Sequence, residues 1–257
     1  GDQLGPSGFE YRRFREFMTQ EVLTVIAAAR VAGAGEILVS DSHGNGQNLL
    51  IEKFPKDIQI IRSWPRPLGM MEGIDETFDG VIFLGYHSST TNTKGVRAHT
   101  MSSANFADVR LNEIAQTEAS INAAIAGHFD VPVIMISGDD AAVEEAQQVI
   151  GPIEGAIVKW NYGFHAARTL TPEAGYEVLA QATRNAVKRL SDFKVHKPKK
   201  PLQLDLRFKN YMPAEVLSYL TVVDRVDSHT IRFVGKDIIE ISKFLQFMGR
   251  YRANLTP

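Results

Sequence analysis

The chain contains no cysteine, which excludes disulfide bridges and thiolate metal sites alike. No apolar run approaches the roughly 20 residues needed to span a bilayer. A formal net charge of -2 over 257 residues gives no general attraction to nucleic acid or to an anionic membrane surface. Gly1-Asp2-Gln3-Leu4 has neither the basic nor the apolar region of a secretory signal, and with the lack of cysteine this points to the cytoplasm. H-E-x-x-H and G-x-S-x-G are also missing. Apolar residues nevertheless make up 44%, enough for a packed core and too many for a disordered chain.

Apolar periodicity organises what is present. Ser7-Gly8-Phe9-Glu10 has the form of a capping box, and Phe14, Met18, Val22, Val25, Ile26 and Ala29 then recur at helical spacing. Glu36-Ile37-Leu38-Val39, Val81-Ile82-Phe83-Leu84 and Val131 to Ile136 are short, continuous apolar runs, as expected of strands covered on both faces. Helical stretches, Glu113 to Phe129, Ala141 to Ile150 and Pro172 to Leu190, lie around the later strands. The reading is an α/β fold, a mainly parallel open sheet with helices on both faces, over residues 1–195. Lys194 to Pro201 reads as a solvated basic linker to a small C-terminal α+β domain at 196–257, with a strand at Leu202 to Phe208 and a closing helix from Asp237 to Arg250.

Ligands in such sheets sit beyond the carboxyl ends of the strands. Two strands lead there into histidines, His43 after Ser40-Asp41-Ser42 and His87 after Gly85-Tyr86, and His99 follows in a polar stretch, Arg97 to Ser103. Neutral imidazole is the commonest zinc ligand, but three or four groups must converge. A lone histidine is more often a hydrogen-bonded loop residue, so the shared sheet is what favours a site. Glu118 reads first as a solvated carboxylate in the opening turn of a helix, where it complements the dipole. Asp139-Asp140 reads as a turn and helix cap before Ala141. Gly44-Asn45-Gly46 lacks the spacing of a phosphate-binding loop. His128, His165, His196 and His229 read as structural or surface residues.

Ser40-Asp41-Ser42-His43, Met71 to Phe78, Phe83-Leu84-Gly85-Tyr86-His87, Ala98-His99-Thr100-Met101, Asn122 to Gly127 and Val131 to Asp140 together resemble the bacterial D-aminopeptidase family, in one register from about Tyr11 onward. The resemblance implies a self-compartmentalising zinc peptidase that cleaves N-terminal D-amino acids, such as D-Ala, from short peptides. It places metal ligands at His43, His87 and Glu118 and the catalytic histidine at His99. It also implies two zinc ions per subunit when an opening Asp and Glu are present, and a homodecamer of two stacked rings; composition points to no nucleic-acid or membrane partner. Asp41 and Asn48 are expected to orient ligands or touch substrate. Two departures stand out. The family's opening Asp-x-Glu-Gly, whose carboxylates bind both ions, has no counterpart in this sequence, and Thr117 and Ser120 occupy positions usually held by glycines. The second bears on substrate fit near Glu118 more than on metal binding. The competing readings are a non-catalytic small-ligand-binding α/β module, a zinc aminopeptidase acting on L-peptides, and a phosphate-handling hydrolase using Gly44-Asn45-Gly46.

Overall fold

The computed structural model describes residues 7–251. Strands β3 (Val81–Tyr86), β6 (Val133–Asp139), β7 (Glu154–Asn161) and β8 (Ala167–Thr169) form a four-stranded sheet in that order, parallel except for β8. Every residue of β6 is buried, which explains its unbroken apolar run. Helices α1 (Tyr11–Val31) and α4 (Pro172–Lys188) cover one face, where Val25 meets Ile134, Met135, Leu179 and Ala186. Helices α2 (Glu118–His128) and α3 (Asp140–Ile150) supply Ile121, Ile125, Val143 and Ala146 to the larger core that takes in Val133 and Ile136. The doubly covered, mainly parallel sheet expected from the apolar runs is therefore present.

A second, antiparallel sheet has the order β10 (Asp224–Arg225), β11 (Thr230–Gly235), β9 (Leu202–Phe208), β4 (Phe106–Leu111) and β5 (Ile114–Ala115). It joins segments on either side of residues 195 and 196, since β4 from the first pairs with β9 from the second. The side chains of Phe106, Val109, Leu204, Leu206 and Ile231 share one core with α2 and with α6 (Ile238–Arg250). A short helix, α5 (Tyr211–Leu217), packs Ala214 into the same core.

Three expectations change. The Ser7 to Glu10 capping box does not form: Glu10 caps α1 without a side-chain bond, and a backbone turn from Gly8 to Tyr11 precedes the helix. The helix expected from Glu113 begins at Glu118, because Asn112 and Glu113 take φ values of +50° and +68° in the tight turn joining β4 to β5. The strand before His43 is not in the same sheet as the one before His87. Strand β1 (Leu38–Ser40) pairs only with β2 (Gln59–Ile61) among the described residues, and the pair is held against α1 by Val22, Ile26, Leu49 and Ile60. Near the end of α2, Gly127 lies so close to the connector that an added Cβ would sit 2.0 Å from the carbonyl oxygen of His196.

Candidate active site

The local chemistry of β3 delivers His87 to the carboxyl end of the sheet. Gly85 adopts φ +68°, which costs glycine little, and the register against β6 shifts between Phe83 and Tyr86. The Gly85 N–H donates to Ser137 Oγ at 2.9 Å instead of continuing the ladder. Glu118 is brought in by the first turn of α2. Thr117 caps the helix: its Oγ1 accepts from Ser120 N–H at 2.9 Å, and Ser120 Oγ accepts from Thr117 N–H at 3.0 Å. Ser120 Oγ also donates to Gln116 Oε1 at 2.7 Å. The two residues that replace glycines therefore build the reciprocal cap that orients Glu118.

His99 comes from the loop before β4 and completes a compact group. One donor atom from each of His87, His99 and Glu118 lies within 4.8 Å of the others, the one grouping of at least three such side chains among the described residues. His87 Nε2 is 3.4 Å from Glu118 Oε2, and His99 Nε2 is 3.8 Å from Glu118 Oε1. The imidazoles stack at 3.7 Å between centroids and 19° between planes. The Met101 N–H donates to Glu118 Oε1 at 2.8 Å.

These contacts decide what each ring offers. A carbonyl only accepts, so His99 Nδ1 at 2.6 Å from the Arg97 carbonyl and His87 Nδ1 at 3.3 Å from that of Ser88 each carry a proton. In the neutral rings both Nε2 lone pairs then face an ionised carboxylate, a repulsive arrangement unless a proton or a metal cation lies between them. Burial pushes the Glu118 carboxyl up, but His87 and His99 and the Met101 N–H outweigh it and hold it at about 2. Burial pulls His87 down, yet the Glu118 carboxylate, the Ser88 carbonyl and Asp139 leave it raised overall. Burial and then the neighbouring His87 charge lower His99, against the pull of Glu118. His87 and Glu118 offer an imidazole and a carboxylate of the kind zinc takes in hydrolytic sites, where a further position stays open for water or substrate, and His99 stands beside them. The residues present therefore fit a zinc ion.

The other residues expected to act fall into a separate loop. Asp41 is fully buried and accepts from Asn48 N–H at 2.6 Å, Asn48 Nδ2 at 2.9 Å and Leu49 N–H at 2.8 Å. Asn48 Nδ2 also donates to the His43 carbonyl at 2.6 Å, and Tyr11 Oη bonds to Asn48 Oδ1. Arg66 Nη2 donates to the Asp41 carbonyl at 2.9 Å. Asp41 and Asn48 thus set the backbone beneath His43, whose side chain is exposed and outside the group formed by His87, His99 and Glu118. Gly46 closes the turn with φ +68°, its N–H given to the His43 carbonyl at 2.8 Å, so that donor is not turned toward an anion. Asp139 caps α3, as read from the sequence, by accepting from Ala142 N–H at 2.7 Å.

His99 also lines an open cavity of about 490 Å³ with Arg97, Ser103, Phe106, Phe164 and Lys209. Sequence reasoning missed Arg97, Phe164 and Lys209, which lie far apart in the chain. The one available signal was the position of Arg97 two residues before His99. His165, read as lacking convergent neighbours, stands beside Arg97, with Nη1 at 3.1 Å from Nε2. A hydrogen bond from Arg97 N–H to the Phe164 carbonyl, at 2.9 Å, ties the β7–β8 turn to the His99 loop.

Fold and donor set together define a class: a layered α/β protein with a buried carboxylate–imidazole centre of the kind metallohydrolases use. A family model described as D-aminopeptidase matches residues 1–247. A D-aminopeptidase of Bacillus subtilis (strain 168) is 35% identical over 234 residues, covering 90% of this chain and 84% of that protein. A solved structure of the Zn-dependent D-aminopeptidase DppA from Bacillus subtilis, described as a self-compartmentalizing protease, superposes with a TM-score of 0.90. That chain is 32% identical, with 96% of this chain and 90% of that one covered. The protein belongs to the D-aminopeptidase family.

Proposed function

We propose that this protein is a zinc-dependent aminopeptidase that hydrolyses short peptides carrying an N-terminal D-amino acid. The observation that supports it most is the meeting of His87 Nε2, His99 Nε2 and the Glu118 carboxylate, with both imidazoles fixed through Nδ1. His87 and Glu118 would hold one zinc ion, and His43, on its braced loop, would contribute to a second. Zinc, when bound, supplies an electrophile and lowers the pKa of bound water from 15.7 to roughly 7.

His99 is the catalytic residue in this reading. It lies between the buried pair and the open cavity, so it faces whatever occupies that cavity. With Nδ1–H held by the Arg97 carbonyl, Nε2 can accept a proton from the attacking water and return it to the leaving amine. Its lowered pKa keeps Nε2 unprotonated near neutrality, as a general base requires. Assembly into a closed homo-oligomer, a decamer in the form the family resemblance implies, and a cytoplasmic location belong to the same proposal. Among the described residues no helix is long and apolar enough to cross a membrane.

The test is hydrolysis of D-Ala-D-Ala and of its L-isomer by zinc-loaded protein. Selective cleavage of the D-peptide is expected. Cleavage of the L-peptide alone would keep the zinc peptidase and remove the D-preference, and cleavage of neither by protein that demonstrably holds zinc would sink the proposal. His99→Ala is expected to keep its zinc and lose turnover by about 10²–10⁴-fold, the usual worth of a positioned acid–base group.

A further inference from the structure

We infer that Arg97 and Lys209 form an anchor for the free α-carboxylate of the substrate, so that peptides with an unblocked C-terminus are preferred over their amides. The inference rests on the aminopeptidase reading of His87, His99 and Glu118 and names the substrate class of that same site.

The charge balance of the cavity carries it. The walls beside His99 include two permanent cations, Arg97 and Lys209, and no carboxylate. Neither cation forms an ion pair with an acidic side chain among the described residues, whereas Arg232, half-buried like Arg97, pairs with Asp205. Arg97 Nε is buried and has no hydrogen-bond partner, so the guanidinium is not fully satisfied within the fold. Arginine presents its N–H groups as a rigid fork matched to carboxylate oxygens.

The surroundings hold that fork in place. Arg97 takes φ +55°, rare outside glycine, and such strain is kept where function needs it. Its guanidinium lies over the Phe164 ring, 4.8 Å from the centroid, and Nη1 is 3.1 Å from His165 Nε2. Lys209 is directed by its Nζ, which donates to the Ser103 carbonyl at 2.5 Å and keeps further N–H donors. Phe164, exposed at the cavity rim, gives it an apolar wall. The carbonyl of Arg97 orients His99, so the catalytic imidazole and the proposed anchor share one residue. Each residue of extended peptide advances about 3.3–3.6 Å, so in a dipeptide the α-carboxylate falls just beyond the scissile amide.

The experiment compares D-Ala-D-Ala with its C-terminal amide on zinc-loaded protein, by kcat/KM and by calorimetric binding, in the native chain and in Arg97→Gln and Lys209→Met. The native protein should favour the free acid by about ten- to a hundredfold, as expected for hydrogen bonds to a charged group. Arg97→Gln should reduce the preference for the acid over the amide by a similar factor, read as the ratio of their kcat/KM values within the same variant. Lys209→Met, which leaves the Arg97 carbonyl that orients His99 untouched, should show the same pattern more weakly. Equal handling of acid and amide by the native protein, or equal losses for both in the variants, would overturn the anchor. If neither compound were cleaved but the acid still bound more tightly through Arg97, the aminopeptidase reading would fail and the anchor would stand. If neither were cleaved and neither bound selectively, both would fail.

Discussion

The two histidines that end strands occupy opposite kinds of surroundings. His87 is largely buried, its Nδ1 satisfied by a backbone carbonyl and its Nε2 aimed at Glu118. His43 is exposed, and the ordered part of its region is the backbone, braced by Asp41, Asn48 and Arg66. One region has fixed the candidate donor atoms themselves, the other only the backbone beneath an exposed imidazole. A metal bound at the first pays little reorganisation, whereas at the second the imidazole must still be ordered.

Substitutions at the buried pair should break this contrast with the largest effect. Glu118→Ala or His87→Ala is expected to lose the tightly held zinc, read by metal analysis after dialysis, and to lower turnover by on the order of 10⁴ or more. Glu118→Ala should also cost about 1–3 kcal/mol of stability, because the Met101 N–H loses its acceptor. Zinc retained at full stoichiometry in His87→Ala would remove His87 from the ligand set. His43→Ala should instead release part of the zinc and leave the His87 and Glu118 share bound.

A milder break lies beneath His43. Asp41→Ala removes the acceptor of three N–H donors and should cost about 2–4 kcal/mol, measured as a fall in the urea midpoint. Stoichiometric binding at His87 and Glu118 should survive in the folded fraction. Loss of all zinc there would mean that the two regions are one site.

The smallest effect is a pH dependence of the metal-free protein. The Glu118 carboxyl is held at about 2 in the fold against an ordinary value of 4.5. A depressed pKa contributes stability that is complete above the unfolded value and lost as pH falls toward the folded one. The metal-free chain should therefore weaken between about pH 4.5 and pH 2, and Glu118→Gln should flatten that decline. An unchanged slope in the variant would assign the decline to other carboxylates.

Legibility from the sequence follows the strength of local signals. The apolar runs of β3 and β6, the alternation of β9 and the amphipathic α1 and α6 were readable, because burial on one face or two leaves a period behind. Strand β4 went unread, since Phe106-Ala107-Asp108-Val109-Arg110-Leu111 is short and follows a polar stretch, and its partner β9 lies over 90 residues away. Strand β7, opening with Glu154 and Gly155, carries a similarly diluted pattern. The nature of the site was only partly legible. Glu118 does sit in the first turn of a helix, as its spacing indicated, but it is buried rather than solvated, because its approach to His87 and His99 is a tertiary contact with no local trace. The expectation that His43 and His87 share a sheet failed because apolar runs reveal that strands exist and not which strands pair.

The close approach of Gly127 to the connector has a mechanical meaning. Helix α2 is clasped at its start by the Thr117–Ser120 cap and seated at its other end on the His196 carbonyl. Any side chain larger than hydrogen at position 127 would act as a wedge, pushing either the connector outward or the helix along its axis. An α-helix transmits such a push almost rigidly over its length, at 1.5 Å per residue about 14 Å here, and the residue at the receiving end is Glu118. The spacing between Glu118 and the imidazoles is thus set in part by a glycine more than two turns away.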